Sequence, residues 1–170
     1  MIKTISEHLD IRLLKNEIDW SVFQSLRLNA LQEHPEAFGS SYEEEFIMSA
    51  DSFKEAYKKC DIFGAFIDDA LVGCAGFFIQ SPLKMCHRGV LSSMYVVPAY
   101  RNQGIANLLV KTIIDHAKQH VLQLHATVVT SNQSAFNLYE RNGFIIYGTE
   151  PRSLKIDNHF YDEHMMVLMF

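Results

Sequence analysis

The feature that most constrains this chain is a strand that runs out at a proline, then a short polar turn, then a long amphipathic helix that opens on a glycine. It reads Val96-Val97-Pro98-Ala99-Tyr100-Arg101-Asn102-Gln103-Gly104-Ile105-Ala106. Upstream, Arg88 to Val97 has strand character. Downstream, Gly104 to Gln119 is predicted helical, because Ile105, Leu108, Leu109, Ile113 and Ala117 recur at helical spacing, with Lys118 and His120 near the negative end. Leu122 to Val129 is again a strand, rich in β-branched residues. Such a unit implies two parallel strands joined by a right-handed crossover. The start of a helix carries unpaired N–H groups and about half a positive charge. Gly104 and the small Ala106 admit close approach of another group. The turn therefore suits an anion such as a pyrophosphate; a plain strand–helix turn, with a glycine that eases packing, is the other reading of these residues. Neither the dinucleotide fingerprint G-x-G-x-x-G nor the P-loop G-x-x-x-x-G-K-[ST] is present.

The flanking segments complete a mixed sheet. Leu9 to Leu14 reads as a short strand. A helix follows to Gln32, with Asp19 as its expected cap and Val22, Phe23, Leu26 and Ala30 on one face; Pro35 ends it. Pro35 to Ser41 is a loop. Ser49 or Asp51 caps a second helix through Lys59. Asp61 to Ile67 and Leu71 to Gln80 form a hairpin across Asp68-Asp69. Ser131 or Asn132 caps a helix to Arg141, stopped by Asn142-Gly143, with Gly143 in the left-handed position. Phe144 to Tyr147 is a strand, and Ser153–Ile156 and Phe160–Phe170 pair across Asp157-Asn158. The expected fold class is α/β, a mixed, mostly antiparallel sheet with helices on both faces, in a single domain over residues 1–170.

Composition narrows the function. The chain has 170 residues, 15 basic and 20 acidic, for a formal net charge of −5. That balance argues against a nucleic-acid partner and is mildly compatible with a cationic acceptor. Met1 to His8 has no apolar h-region, so no signal peptide is expected there. The longest oily stretch, Leu71 to Ile79, falls well short of the ~20 residues that span a bilayer, so no membrane association is expected. Cys60, Cys74 and Cys86 are odd in number and have no C-x-x-C spacing, which disfavours a disulfide framework and a zinc site; no metal is expected. The setting is read as reducing and cytoplasmic. Cys74 sits in the apolar run Val72 to Phe78, as a small hydrophobe rather than a nucleophile. Met165, Met166 and Met169 are read as packing a strand.

Two motifs resemble one family. Arg101-x-x-Gly104-x-Ala106, preceded by Val97-Pro98, looks like the [Q/R]-x-x-G-x-[G/A] signature of the GCN5-related N-acetyltransferases. Asn132-Gln133-Ser134-Ala135-Phe136-Asn137-Leu138-Tyr139-Glu140-Arg141-Asn142-Gly143-Phe144 resembles that family's N-x-x-A-x-x-L-Y-x-x-x-G-F. They stand in the family's order and spacing, and the element order matches its fold. The resemblance implies acetyl-CoA as donor, and a small-molecule or peptide amine as acceptor. It implies that Met94, Tyr95 and Val96 pair with the pantetheine like an added strand. The backbone at Arg101, Asn102, Gln103, Gly104, Ile105, Ala106 and Asn107 would hold the pyrophosphate. Asn132 would contact the cofactor, and Tyr139 would lie near the thioester sulfur. The cleft is expected between the strand ending at Val97 and the strand Leu122 to Val129.

Tyr139 has a physical argument of its own. A departing thiolate needs a proton or a hydrogen bond, and a phenol with a pKa of about 10 can donate one at neutral pH; a core tyrosine beside Phe136 is the alternative. The base stays open among Glu43, Glu44, Glu45, His87, His125 and ordered water. Any of the three glutamates could instead recognise a cationic acceptor. The expected reaction is direct attack of a primary amine on the thioester, with Tyr139 as the catalytic residue. A non-catalytic CoA-binding or regulatory module on the same fold is the alternative; a third is an unrelated α/β protein with another phosphate ligand. The long apolar strand Phe160 to Phe170 leaves an edge-mediated homodimer open.

Overall fold

The computed structural model describes residues 9–170; the expectation for Met1 to His8 lies outside the described residues. Seven strands form one sheet: β1 (Leu9–Leu13), β2 (Asp61–Ile67), β3 (Ala70–Ile79), β4 (Arg88–Val96), β5 (Gln123–Val129), β6 (Ile145–Ile156) and β7 (His159–Met169), in the order β1-β2-β3-β4-β5-β7-β6. Every pair is antiparallel except β4 and β5. The helices are α1 (Glu17–Glu33), α2 (Tyr42–Phe46), α3 (Ala50–Tyr57), α4 (Ile105–Ala117) and α5 (Gln133–Arg141).

Two cores lie on opposite faces. Leu109, Val110, Ile113 and Ile114 of α4 pack with Val72, Phe77, Leu91, Leu124 and Met166. Phe23, Leu26 and Ala30 of α1 and Phe53 of α3 pack with Ile62, Phe66, Cys74 and Tyr95. The crossover from β4 through α4 to β5 is thus the parallel unit expected from the sequence, and the fold class is the expected one. Among the described residues no helix is long and apolar enough to cross a membrane.

Several local expectations change. Asn16, not Asp19, caps α1: its Oδ1 accepts from the Asp19 N–H at 2.8 Å. The Asp19 carboxylate is occupied by the two Arg12 nitrogens, both at 3.0 Å. Part of the stretch after Pro35 is ordered as a 3-10 turn, Pro35–Ala37, and the Glu43–Glu45 run lies in α2. The strands expected over Phe144 to Tyr147 and over Ser153–Ile156 are one strand, β6, interrupted by register shifts at Ile146/Gly148 and Glu150/Leu154. Pro151, which has no N–H for the ladder, sits in the second irregularity. The terminal strand β7 is interior, paired by β5 on one side and β6 on the other, so its edge is not available for a homodimer. Met166 is buried on β7, whereas Met169 is exposed.

Candidate active site

The parallel pairing of β4 and β5 is short. It runs from Arg88↔Gln123 to Val90↔His125 and stops. Beyond Val90 the strands splay, and a cleft opens between them. β4 keeps its antiparallel partner β3 throughout, with a bulge between Cys74 and Gly76 opposite Ser92 to Tyr95. Ser93 sits in that bulge at φ +52°, a left-handed conformation uncommon outside glycine. Backbone amides alternate sides along a strand. Because the Val97 N–H bonds Val72 O at 2.9 Å on the β3 side, the amides of Val96 and Met94 turn to the cleft. The Tyr95 amide turns to β3, and its hydroxyl donates to Glu33 at 2.7 Å. Of the three residues expected to pair with pantetheine, the outer two face the cleft with their backbone.

The cleft has two connected parts that share Ala37, Phe38, Met94, Asn132 and Ala135 in their walls. The first, about 650 Å³, lies at the start of α4, with Val96, Arg101, Asn102, Gly104, Ile105, Ala106 and Asn107 on its wall. Gly104 has φ +84°, and a Cβ built there meets nothing within 4 Å. The first intrahelical bond is Leu108 N–H to Gly104 O at 3.1 Å, so the preceding amides of the turn are left for a ligand or solvent. Gln103 is exposed and not part of this wall; its Nε2 donates to Ala99 O at 3.1 Å. The Arg101 side chain is drawn away from the turn: Nε donates to Val96 O at 2.9 Å, and Nη2 reaches His34 at 3.2 Å and Glu33 at 3.7 Å.

The second part, about 870 Å³, lies between the β4 bulge, β5 and the α1–α3 side. Thr127, Val128 and Val129 line it from β5, and Tyr139 from α5. Tyr139 is buried, with its ring 5.5 Å from that of Phe144. Burial pushes its hydroxyl well above the ordinary phenol range, so it stays protonated. Asn132 caps α5, with Oδ1 accepting from Ala135 N–H at 3.1 Å, and borders both parts of the cleft.

The candidate bases fare differently. Glu45 is buried and held by Arg27 through Nε at 3.2 and 3.1 Å and Nη2 at 3.0 Å, and by the Tyr57 hydroxyl at 3.0 Å. Glu44 accepts from its own cap residue, with Ser41 N–H at 2.9 Å, and that bond pulls its pKa below the usual carboxylate value. Glu43 is not part of either wall. His125 sits where β4 and β5 still pair, beside Arg88 at 3.2 Å; burial and that positive neighbour lower its pKa. Neither His125 nor His87 borders the cleft. Cys74 is buried, its thiol pushed up to about 12 by burial, unlike a nucleophilic thiolate. Among the described residues no cluster of His, Cys, Asp and Glu could hold a metal ion.

Arg27, Phe38 and Tyr57 are cleft residues that the sequence reading missed. The signal was present for one of them: Arg27 falls on the apolar stripe of α1, four residues after Phe23, where a guanidinium needs a buried partner.

Residues 23–144 match the model of the Acetyltransferase (GNAT) family. No functionally curated protein matches the chain. Among solved structures, an acetyltransferase of the GNAT family from Streptococcus pneumoniae is 22% identical with a TM-score of 0.83, over 95% of this chain and 99% of that one. A GCN5-related N-acetyltransferase from Kribbella flavida is 21% identical with a TM-score of 0.82, over 97% and 99%. A protein from Salmonella typhimurium solved with its cofactor acetyl-CoA is 19% identical with a TM-score of 0.81, over 95% and 93%. At these identities the likeness is one of fold.

Proposed function

The chain belongs to the Acetyltransferase (GNAT) family, and from that premise we propose that it transfers the acetyl group of acetyl-CoA to a primary amine by direct attack. Acetyl-CoA supplies the acyl group as a thioester. One observation carries the reading: β4 leaves β5 after Val90 and turns the Met94 and Val96 amides to a cleft that ends at the uncovered start of α4. A strand edge next to unpaired helix amides suits a ligand with an amide-bearing arm and a pyrophosphate. The Salmonella typhimurium protein with acetyl-CoA bound, alike in fold, supports the same assignment.

In this mechanism the amides from Asn102 to Asn107 hold the pyrophosphate, and Met94 and Val96 align the pantetheine. Asn132, whose Nδ2 is not used in the cap, steadies the arm where the two parts of the cleft meet. Water takes the first proton, since Glu45 is locked to Arg27, Glu44 accepts from Ser41, and neither His87 nor His125 borders the cleft. The neutral amine then forms the C–N bond as the C–S bond breaks. The Val96 N–H donates to the carbonyl oxygen as negative charge gathers on it. Tyr139 serves the sulfur. A thiol has a pKa of about 8.5, far below that of this buried phenol, so Tyr139 donates a hydrogen bond to the thiolate and keeps its own proton. The remaining nitrogen proton leaves to solvent and the thiolate takes one up, giving the acetamide and free CoA.

Calorimetric titration with acetyl-CoA, followed by a turnover screen over amines, tests the reading. Micromolar binding with turnover supports it. Binding without turnover on any amine favours the non-catalytic CoA-binding module. No binding by folded protein removes the acetyl-CoA assignment.

A further inference from the structure

Resting on the proposed acetyl transfer, we propose that the acceptor is a free amino acid, an amine that carries its own carboxylate, and that Arg27 receives that carboxylate. The acidic composition suggests a cationic acceptor such as a polyamine, yet each glutamate lining the second part of the cleft already accepts a hydrogen bond. Glu45 is neutralised by Arg27, Glu44 is turned back onto Ser41, and Glu43 is off the wall.

Arg27 presents the opposite situation. Its side chain is only 6% exposed and borders the cavity. Nε and Nη2 grip Glu45 side-on. Among the described residues no hydrogen bond reaches Nη1, so the end-on edge of the guanidinium is left for a ligand. A carboxylate fits the two parallel N–H groups of that edge. The group is held rigid: Phe38 lies 4.5 Å under the guanidinium, and the Tyr57 hydroxyl donates to Glu45 Oε1 at 3.0 Å.

The position also puts Arg27 in the same cavity as the reacting groups. The Cys74 thiol donates to Ser93 O at 3.1 Å, on the β4 bulge. Arg27 borders the same cavity as Ser93 and Met94 of that bulge and as Tyr139. An acceptor whose carboxylate meets Arg27 thus keeps its amine inside the cavity that Met94 and Tyr139 also line. The carboxylate adds one negative charge to the neutral Arg27–Glu45 pair, and the acceptor's ammonium offsets it on arrival.

The test measures kcat/KM on the intact protein with saturating acetyl-CoA, for phenylalanine against phenethylamine, leucine against isopentylamine, and spermidine. A charge-assisted pair predicts a preference of about tenfold or more for each amino acid over its matched amine. Arg27→Lys keeps a positive charge for Glu45 but has no fork to share. It raises KM for the amino acids and erases the acid-over-amine preference, while acetyl-CoA affinity is unchanged. Glu45→Gln, which keeps the shape but removes the competing charge, lowers KM for the amino acids. If either variant fails to fold, the wild-type panel decides. Spermidine or the matched amines used equally well or better, or no turnover of any amino acid by protein that binds acetyl-CoA, overturns the inference alone. Failure to bind acetyl-CoA overturns the underlying function instead.

Discussion

Replacing Gly104 isolates what the start of α4 contributes to binding. A Cβ at this position meets nothing within 4 Å, so no neighbour has to move. The free protein bears only the left-handed backbone at φ +84°, about 1–2 kcal/mol for a non-glycine residue. That strain is common to the free and bound forms, so Gly104→Ala lowers Tm while leaving acetyl-CoA affinity nearly unchanged unless the ligand's phosphates fill the space. Gly104→Glu adds a negative charge on a flexible arm. At about 5 Å and an effective dielectric near 20, two like charges repel by about 3 kcal/mol. A pyrophosphate offers two such charges, and solvent at this exposed turn screens them. The net expectation is about 2–3 kcal/mol, roughly 30- to 150-fold weaker binding. Calorimetry with acetyl-CoA gives Kd for the three proteins, and a thermal melt separates folding from binding. If Gly104→Glu is folded and binds acetyl-CoA as wild type does, no phosphate lies at the start of α4 and the binding mode proposed above is wrong.

Tyr139→Phe keeps the ring packed on Phe144 and removes one donor; kcat is expected to fall about 10- to 100-fold, the worth of a hydrogen bond to a charged sulfur, with acetyl-CoA affinity held. An unchanged kcat in an amine assay would take Tyr139 out of the mechanism. With a thiol reagent at neutral pH, exposed Cys86 reacts first and half-buried Cys60 slowly, its thiol raised by burial, while Cys74 reacts only on unfolding; mass spectrometry of labelled peptides reads the order, and early labelling of Cys74 would contradict its burial. His125 has a folded pKa below the unfolded value of about 6.5, so between pH 6.5 and the lower folded value the unfolded chain binds more protons and stability falls as pH falls. Thermal melts from pH 7 to 5 should show Tm dropping more in wild type than in His125→Gln; equal slopes would refute the assignment.

Much of the fold was legible because it rests on local periodicity. The stripe Ile105, Leu109, Ile113 and Ala117 fixes α4 and the face it buries, and a strand, helix and strand in that span leave one handedness for the crossover. Gly143 could be read from its helix-ending position, and it has φ +91°. The start of α4 was legible for the same reason. What escaped depends on residues far apart in sequence. Nothing local says that β4 and β5 part after Val90, or that a bulge puts Ser93 in a left-handed conformation. Asn16 displaces Asp19 as the cap because Arg12, on another element, takes the Asp19 carboxylate. The β7 position between β5 and β6 follows from the long hairpin folding outward, a choice that an apolar strand alone does not specify.

The charge balance illustrates the same limit. A formal −5 opposes an anionic cofactor at long range, yet most of the acidic groups near the cleft are already engaged. Glu33 accepts from Tyr95 and lies beside Arg101, Glu45 holds Arg27, Glu44 accepts from Ser41 N–H, and Glu36 meets His34 at 3.6 Å. Fields from such pairs fall off over a few ångströms, whereas the helix start acts on whatever lies directly against it. Local geometry therefore outweighs net charge in deciding what each part of the cleft accepts. The start of α4 favours an anion in spite of the acidic total. By the same reasoning, a neutralised glutamate beside a half-used arginine makes the second part of the cleft a place for a carboxylate, although three glutamates in a row suggest a cation.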